Sequence, residues 1–380
     1  MSPGVYLDYN ATAPIRPQAK DAVLRALEIG GNPSSIHAAG RAARALIEDA
    51  REAVAALAGA LPSQVVFTSG GSEANSLALD SALRMAGGVT LLIGASEHAS
   101  LREAAEAGPA NAETWPVDAN GVAQLSWLAR RLETWTPEDG RPFVALMLAN
   151  NETGVIQPVA EAARLVRGAG GWLHVDAIQA AGKITIDFEA LGADTLSLSA
   201  HKLGGPQGCG ALVVGPRVEV ARRNFGGGQE RGRRGGTENL SGIAGFGAAA
   251  GASAIDDRNA AWRDAAAARL KRDAGVTVLG EAAPRLSNTL CFAAEGYSSE
   301  LQLMALDLAG VMVSAGAACS SGKVTASHVV LAMGRPDLAG AAIRVSGGWG
   351  STEEDWARFA DAWLVAYARH TARKPALVEA

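Results

Sequence analysis

Short apolar runs alternate with helix-like stretches through the middle of this chain, and that alternation limits its fold more than any other feature. Val65-Val66-Phe67-Thr68 is a β-rich run, and Glu73 to Ala86 reads as a helix rich in Ala and Leu. Val89 to Ile93, Phe143 to Leu148, Trp172 to Val175 and Thr195 to Leu198 are further strand-like runs, and Val159 to Arg167 is a helical stretch among them. Unbroken apolar strands that take turns with helices predict a mainly parallel sheet covered on both faces. In such a fold, ligands sit beyond the carboxyl ends of the strands. The pattern changes after about residue 250, where Ala260 to Lys271 reads as a helix followed by shorter elements. The expected division is a large domain over residues 15–250 and a smaller α/β domain over 251–380, joined by residues 1–14.

Composition narrows the class. The 380 residues suffice for two domains, and 48% hydrophobic residues with 19% charged ones exclude a disordered chain. A net charge of −5 offers no basic field to nucleic acid or to an anionic membrane. No apolar run reaches the roughly 18 residues of a membrane span. The start, Met1-Ser2-Pro3-Gly4, lacks the basic and apolar regions of a signal peptide, so a cytoplasmic protein is expected. The three cysteines, Cys209, Cys291 and Cys319, cannot all pair with one another, and in that compartment they read as reduced thiols. The 45 glycines cluster in short motifs, which points to backbone lying close to a ligand. No metal is expected.

Several motifs stand just after the strand-like runs. In Thr68-Ser69-Gly70-Gly71-Ser72-Glu73, Ser72 is expected at a helix N-cap, where free N–H groups and the helix dipole favour a phosphate. An ordinary capped turn is the plainer reading. Asp176 in His174-Val175-Asp176-Ala177-Ile178-Gln179 ends an apolar strand, where it can pair with a protonated ring nitrogen or simply cap the next turn. Lys202 in Ser199-Ala200-His201-Lys202-Leu203-Gly204-Gly205 follows another strand. A lysine held there can have a depressed pKa and form a Schiff base. The 26 residues between Asp176 and Lys202 fit one crossover and one strand, so both would face one crevice.

Gly226 to Thr237 packs glycines and arginines into a loop able to wrap an anion, or into a solvated linker. Small residues flank Cys319 in Ser314-Ala315-Gly316-Ala317-Ala318-Cys319-Ser320-Ser321-Gly322, which leaves its thiol reachable. Cys209, between two glycines, and Cys291, inside Leu290-Cys291-Phe292, read as buried structural thiols. Arg344 in Ile343-Arg344-Val345-Ser346 can clamp a carboxylate with two hydrogen bonds or form a structural ion pair. Asn150-Asn151-Glu152-Thr153-Gly154 and Glu97-His98 are polar clusters just beyond apolar strands.

Taken together, with Tyr6-Leu7-Asp8-Tyr9-Asn10-Ala11-Thr12 and Gly31-Asn32-Pro33-Ser34-Ser35-Ile36-His37, these motifs resemble the cysteine desulfurases of the class V aminotransferase superfamily, over nearly the whole chain. The resemblance implies fold type I of the pyridoxal-phosphate enzymes. It implies conversion of L-cysteine to L-alanine, with the sulfur passing to Cys319 as a persulfide. By the same resemblance Lys202 carries the cofactor as a Schiff base, Asp176 binds its pyridinium nitrogen and Gln179 its phenolic oxygen. His98 stacks on the ring and passes protons, with Asn151 nearby. Gly71, Ser72, Ser199 and His201 hold the phosphate, and Arg344 binds the substrate carboxylate. Thr237 reaches the neighbouring subunit's cofactor, which implies a homodimer. A sulfur-acceptor protein such as an iron–sulfur scaffold is the implied partner.

The sequence departs from the family where Gly71-Ser72 replaces the more usual Ala-Thr, and where Ala315 and Ala317 stand in place of Ser. The tail after Arg344 is short for the branch that supplies iron–sulfur assembly. A selenocysteine lyase or another class V enzyme is the near alternative. A nucleotide-binding dehydrogenase is disfavoured, because no G-x-G-x-x-G follows the first strand.

Overall fold

A computed structural model describes residues 4–316 and 325–373. The chain opens with a two-residue strand β1 (Val5–Tyr6) and helices α1 (Pro17–Ile29) and α2 (Ala38–Ala58). Strands and helices then alternate as β2 (Val65–Thr68), α3 (Gly71–Leu83), β3 (Val89–Gly94), α4 (Ala99–Ala107), β4 (Asn111–Trp115), α5 (Leu125–Glu133), β5 (Arg141–Ala145), α6 (Val159–Gly168), β6 (Trp172–Asp176), α7 (Phe188–Leu191), β7 (Thr195–Ser199) and β8 (Gly210–Val214). The remainder is α8 (Leu240–Gly251), α9 (Arg258–Ala274), β9 (Thr277–Val278), β10 (Thr289–Ala293), α10 (Ser299–Leu308), β11 (Val311–Met312), β12 (Ser314–Ala315), α11 (His328–Ala332), β13 (Ala342–Ser346) and α12 (Glu353–Arg373).

Seven strands form one sheet in the order β2-β8-β7-β6-β5-β3-β4, and β8 alone runs against the others. This is the mainly parallel α/β sheet that the alternation predicts. Every residue of β2, β6, β7 and β8 is buried, which is why these strands read as apolar runs rather than as an alternating pattern.

Two glycines let the helical cover seat closely. Gly59 ends α2 with φ 61°, and a Cβ there would lie 2.7 Å from the Asp187 Cα. Gly247 of α8 brings that helix against α2, where a Cβ would stand 2.4 Å from the Ala50 Cα.

The smaller sheet has the order β12-β13-β10-β9 and packs against α9 and α12. Its core holds Phe292, Trp356, Phe359 and Trp363. The edge-on contact of Phe292 with Trp363, 5.2 Å between centroids, adds about 0.5–1.5 kcal/mol to the area they bury. The one polar atom of Trp363 is satisfied by Gln302, at 2.8 Å. The N-terminal segment crosses between the two sheets. β1 pairs with β11, the Ser346 N–H donates to the Leu7 carbonyl at 2.7 Å, and the Tyr9 N–H donates to the Ser346 carbonyl at 3.0 Å.

Candidate active site

The side chains that the sequence singles out gather at the carboxyl ends of β2, β3, β5, β6 and β7, where the next element turns away and leaves a crevice. Asp176 is the last residue of β6 and is only 5% exposed. One of its oxygens takes the Asn75 amide at 2.8 Å and the other the Ile178 N–H at 3.0 Å. The Asn75 oxygen faces His174 Nε2 at 3.0 Å, and His174 Nδ1 meets Thr195 at 2.8 Å. Burial drives the His174 pKa down to about 3, so this ring is a neutral spacer that fixes Asn75, and Asn75 fixes Asp176. Among the described residues no cation pairs with Asp176. A buried carboxylate so placed lacks the positive partner that its burial calls for.

Glu97 follows β3 and is fully buried. Burial first, and then the nearby Asp176 charge, push its carboxyl well above the usual range. It accepts the Met147 N–H through one oxygen, while the other oxygen has no partner. Glu97 is therefore held as a neutral acid beside Asp176. His98 caps α4 and accepts the Ser100 N–H on Nδ1 at 3.1 Å. A backbone N–H can only donate, so the proton of a neutral His98 sits on Nε2. The Ser100 hydroxyl lies 2.9 Å from both His98 Nδ1 and Asn75 Nδ2, which links His98 to Asp176 through two polar side chains.

Lys202 sits in the short 3-10 turn Ala200–Lys202 that follows β7. Its Nζ donates to the carbonyls of Asn10 and Ala11, each at 2.7 Å. Asn10 is the residue through which the site is joined. Its carbonyl also takes the Gln179 amide at 2.9 Å, and its side-chain oxygen takes Lys183 Nζ at 2.9 Å and Asn288 at 3.2 Å. Its own amide donates to the Asn151 carbonyl at 3.2 Å and to Thr289 at 2.9 Å. His201 meets Thr12 at 2.9 Å, and its pKa falls to about 4 through burial and the Lys202 charge.

Arg344, on β13 of the small sheet, is 2% exposed. It reaches Asp8 at 2.8 Å and the Asn151 carbonyl at 3.2 Å, and its Nε is buried without a partner. A guanidinium with an unused donor is a receptor for a carboxylate.

Two local expectations change. Gly70, not Ser72, occupies the N-cap of α3, and Ser72 is exposed one position inside the first turn. The extended conformation of Gly70 leaves the first N–H groups of α3 without intrahelical partners, so the anion-favouring end survives the shift. Gly71 lies against the neighbouring strand end. A Cβ there would lie 2.2 Å from the Ile178 side chain and 3.5 Å from the Ser199 Cβ.

The second change concerns the arginines of the Gly226–Thr237 loop, which are not free to wrap an anion. Arg234 is tied to Glu73 at 2.9 Å, Arg233 to the Ser63 carbonyl at 3.0 Å, and Arg231 approaches Glu48 at 3.9 Å. Glu230, from the same loop, is buried in a two-point bond with Arg51 at 2.8 and 3.0 Å. Thr237 is exposed and shares no hydrogen bond with the Lys202 cluster among the described residues.

Cys319 lies outside the described residues. The flanks of its segment converge on the buried Glu152. The Ser327 hydroxyl donates to it, and a Cβ on Gly316 would lie 1.9 Å from the same oxygen. Cys209 and Cys291 are buried as expected. Burial pushes the Cys209 thiol up to about 12 and Cys291 higher still, so neither supplies a thiolate at neutral pH.

Asn10, Asn75, Glu97 and Lys183 were not read from the sequence as site residues. For Lys183 a signal exists: a lysine four residues after Gln179 in the small-residue run Ala180-Ala181-Gly182 is poorly placed for solvent. Among the described residues no group of side chains could hold a metal ion, and no helix is long and apolar enough to cross a membrane.

Comparison with known proteins bears on the whole chain. The profile of the family described as aminotransferase class-V matches residues 5–359. A cysteine desulfurase of Frankia is 40% identical over 387 residues, covering 94% of this chain and 90% of its own. The cysteine desulfurase IscS of Dictyoglomus turgidum is 37% identical over 364 residues, covering 92% and 91%. Among solved structures, a NifS-like protein from Rickettsia africae superposes with a TM-score of 0.88 at 31% identity, covering 96% of this chain and 99% of its own.

Proposed function

Because this chain belongs to the class V aminotransferases and is a cysteine desulfurase among them, we propose that it removes sulfur from L-cysteine with pyridoxal phosphate carried on Lys202 and Cys319 as the sulfur acceptor. The observation that carries this reading is the pairing of two unmet demands in one crevice. Among the described residues, Asp176 is a buried carboxylate without a cation, and Arg344 is a buried guanidinium with a donor unused. A protonated ring nitrogen satisfies the first and a substrate carboxylate the second, so the residues present fit the cofactor.

When bound, pyridoxal phosphate supplies an aldehyde for a lysine amine and a ring that accepts the electron pair released at the substrate Cα. The chain's own groups do the rest. Asp176, held by Asn75, keeps the proton on the ring nitrogen. Gln179 donates to the phenolic oxygen. Gly71, Ser72, Ser199 and His201 take the phosphate, the first two from the free end of α3. His98 would stack on the ring and offer the proton on Nε2. Arg344, with Asn151 beside it, would orient the substrate carboxylate. The Lys202 amine would take the Cα proton. The Cys319 thiolate would attack the substrate sulfur, so an S–S bond forms as the C–S bond breaks; the electron pair of that bond stays with Cβ, which takes a proton, Cα regains the proton held by Lys202, and L-alanine departs.

The reading extends to a homodimer in which Thr237, exposed on the surface of one protomer, meets the cofactor of the other, and to a cytoplasmic enzyme that hands its persulfide sulfur to an acceptor protein such as an iron–sulfur scaffold. The division into residues 15–250 and 251–380 with 1–14 is supported by the two sheets and by the pairing of β1 with β11. Two variants test the assignment together. Lys202→Ala should lose the visible absorbance of the bound cofactor, and Cys319→Ser should keep it but release no sulfide from L-cysteine. An unchanged spectrum in the first, or full activity in the second, would overturn the respective role.

A further inference from the structure

Two amines share the cage around Asn10. Lys202 Nζ uses the Asn10 carbonyl, and Lys183 Nζ uses the side-chain oxygen of the same residue at 2.9 Å and the Gln179 Oε1 at 2.8 Å. Gln179 in turn sends its Nε2 to the carbonyl that Lys202 occupies, at 2.9 Å. We propose that Lys183 is a positioning residue of this site, which turns the Gln179 carboxamide so that Nε2 is presented on the Lys202 side. The inference rests on the functional reading above and names a residue that reading does not use.

The orientation follows from the donor and acceptor inventory. The Lys183 amine donates to the Gln179 oxygen, so that oxygen turns toward Lys183 and the NH2 end away. The reverse orientation would put two donors head to head in a buried place, a fault worth more than an ordinary hydrogen bond. A Gln179 fixed this way can donate to a phenolic oxygen and favour its ionised form.

Lys183 is packed beside Lys202 and Arg344, and burial first, then those two charges, lower its proton affinity. No carboxylate among the described residues forms an ion pair with it, so its bonds to Gln179 and Asn10 are what hold it in place.

The test is a pH titration of the visible band of the holoenzyme, a readout of bound cofactor rather than of turnover. Lys183→Met removes the donor to Gln179, and that loss moves the midpoint up, by about one pH unit. Turnover of L-cysteine should fall about tenfold with KM little changed, because Arg344 is untouched. Lys183→Arg restores the donor and should return the midpoint most of the way. If Lys183→Met does not accumulate as folded protein, Lys183→Leu carries the same test, since it too has no donor. A midpoint unmoved in the donor-free variant overturns the inference. Absence of any visible band in the wild-type protein would instead overturn the cofactor reading.

Discussion

The ground beneath the glycine-rich loop and the place where β13 meets the crevice are each built on a buried arginine, and the two arginines are used in opposite ways. Arg51 is 3% exposed and fully engaged. It makes two bonds to Glu230, one to the Val65 carbonyl at 3.0 Å and one to Glu48 at 3.2 Å, and its guanidinium lies 4.8 Å from the Phe67 ring centre. Glu230 spends its remaining capacity on the Phe67 N–H at 2.9 Å. That saturation lets the loop hold Glu230 and Arg231 at φ 47° and 57°, a left-handed backbone that costs about 1–2 kcal/mol per residue. Arg344 is buried as deeply, yet it meets its acid at one point and keeps Nε idle. A saturated ion pair closes a region; an unsaturated one leaves it able to receive.

Three substitutions sharpen or break that contrast. The largest effect is expected from Arg344→Ala. Loss of two charge-assisted bonds to the substrate carboxylate, about 1.5–3 kcal/mol each, should lower kcat/KM for L-cysteine by about 10²–10⁴-fold, mostly through KM. Steady-state kinetics measure this, and an unaltered KM would place the clamp elsewhere. Next, Glu230→Ala strands a buried guanidinium and should cost about 3–5 kcal/mol of stability in denaturant melts. If Arg344→Ala lost as much stability, the contrast between the regions would fail. The smallest is Asp8→Asn. If Asp8 only competes with substrate for Arg344, its neutralisation should lower KM by about two- to fivefold. A stability loss like that of Glu230→Ala would instead make the Asp8–Arg344 pair a structural bond.

The parts of the site legible in the sequence are those that local chemistry marks. Asp176 and Lys202 announce themselves as charges at the ends of apolar runs, and strand ends in a parallel sheet open on one side. The sheet was legible for the same reason, since strands buried on both faces carry no polar interruption. The N-cap was misplaced by two positions, at Ser72 rather than Gly70, because a glycine pair precedes the serine and nothing in the letters says which residue begins the helix. The cationic loop was misread because its neutralising acids, Glu48 and Glu73, lie more than 150 residues earlier. Asn10, Asn75 and Glu97 stayed hidden because their meaning lies wholly in long-range partners. An asparagine that joins residues 151, 179, 202 and 289 looks from the sequence like any asparagine near a turn.

Asn10 also bears on how the enzyme is made. Its backbone N–H is held by the Ser346 hydroxyl, 336 positions further on, and its side chain by Asn288 and Thr289. The segment around Asn10 is therefore among the last to find its place, since its partners lie 278 to 336 positions further along the chain. Contacts so far apart in sequence slow folding. The crevice around Asn10 is completed only once the strand that carries Ser346 has been made.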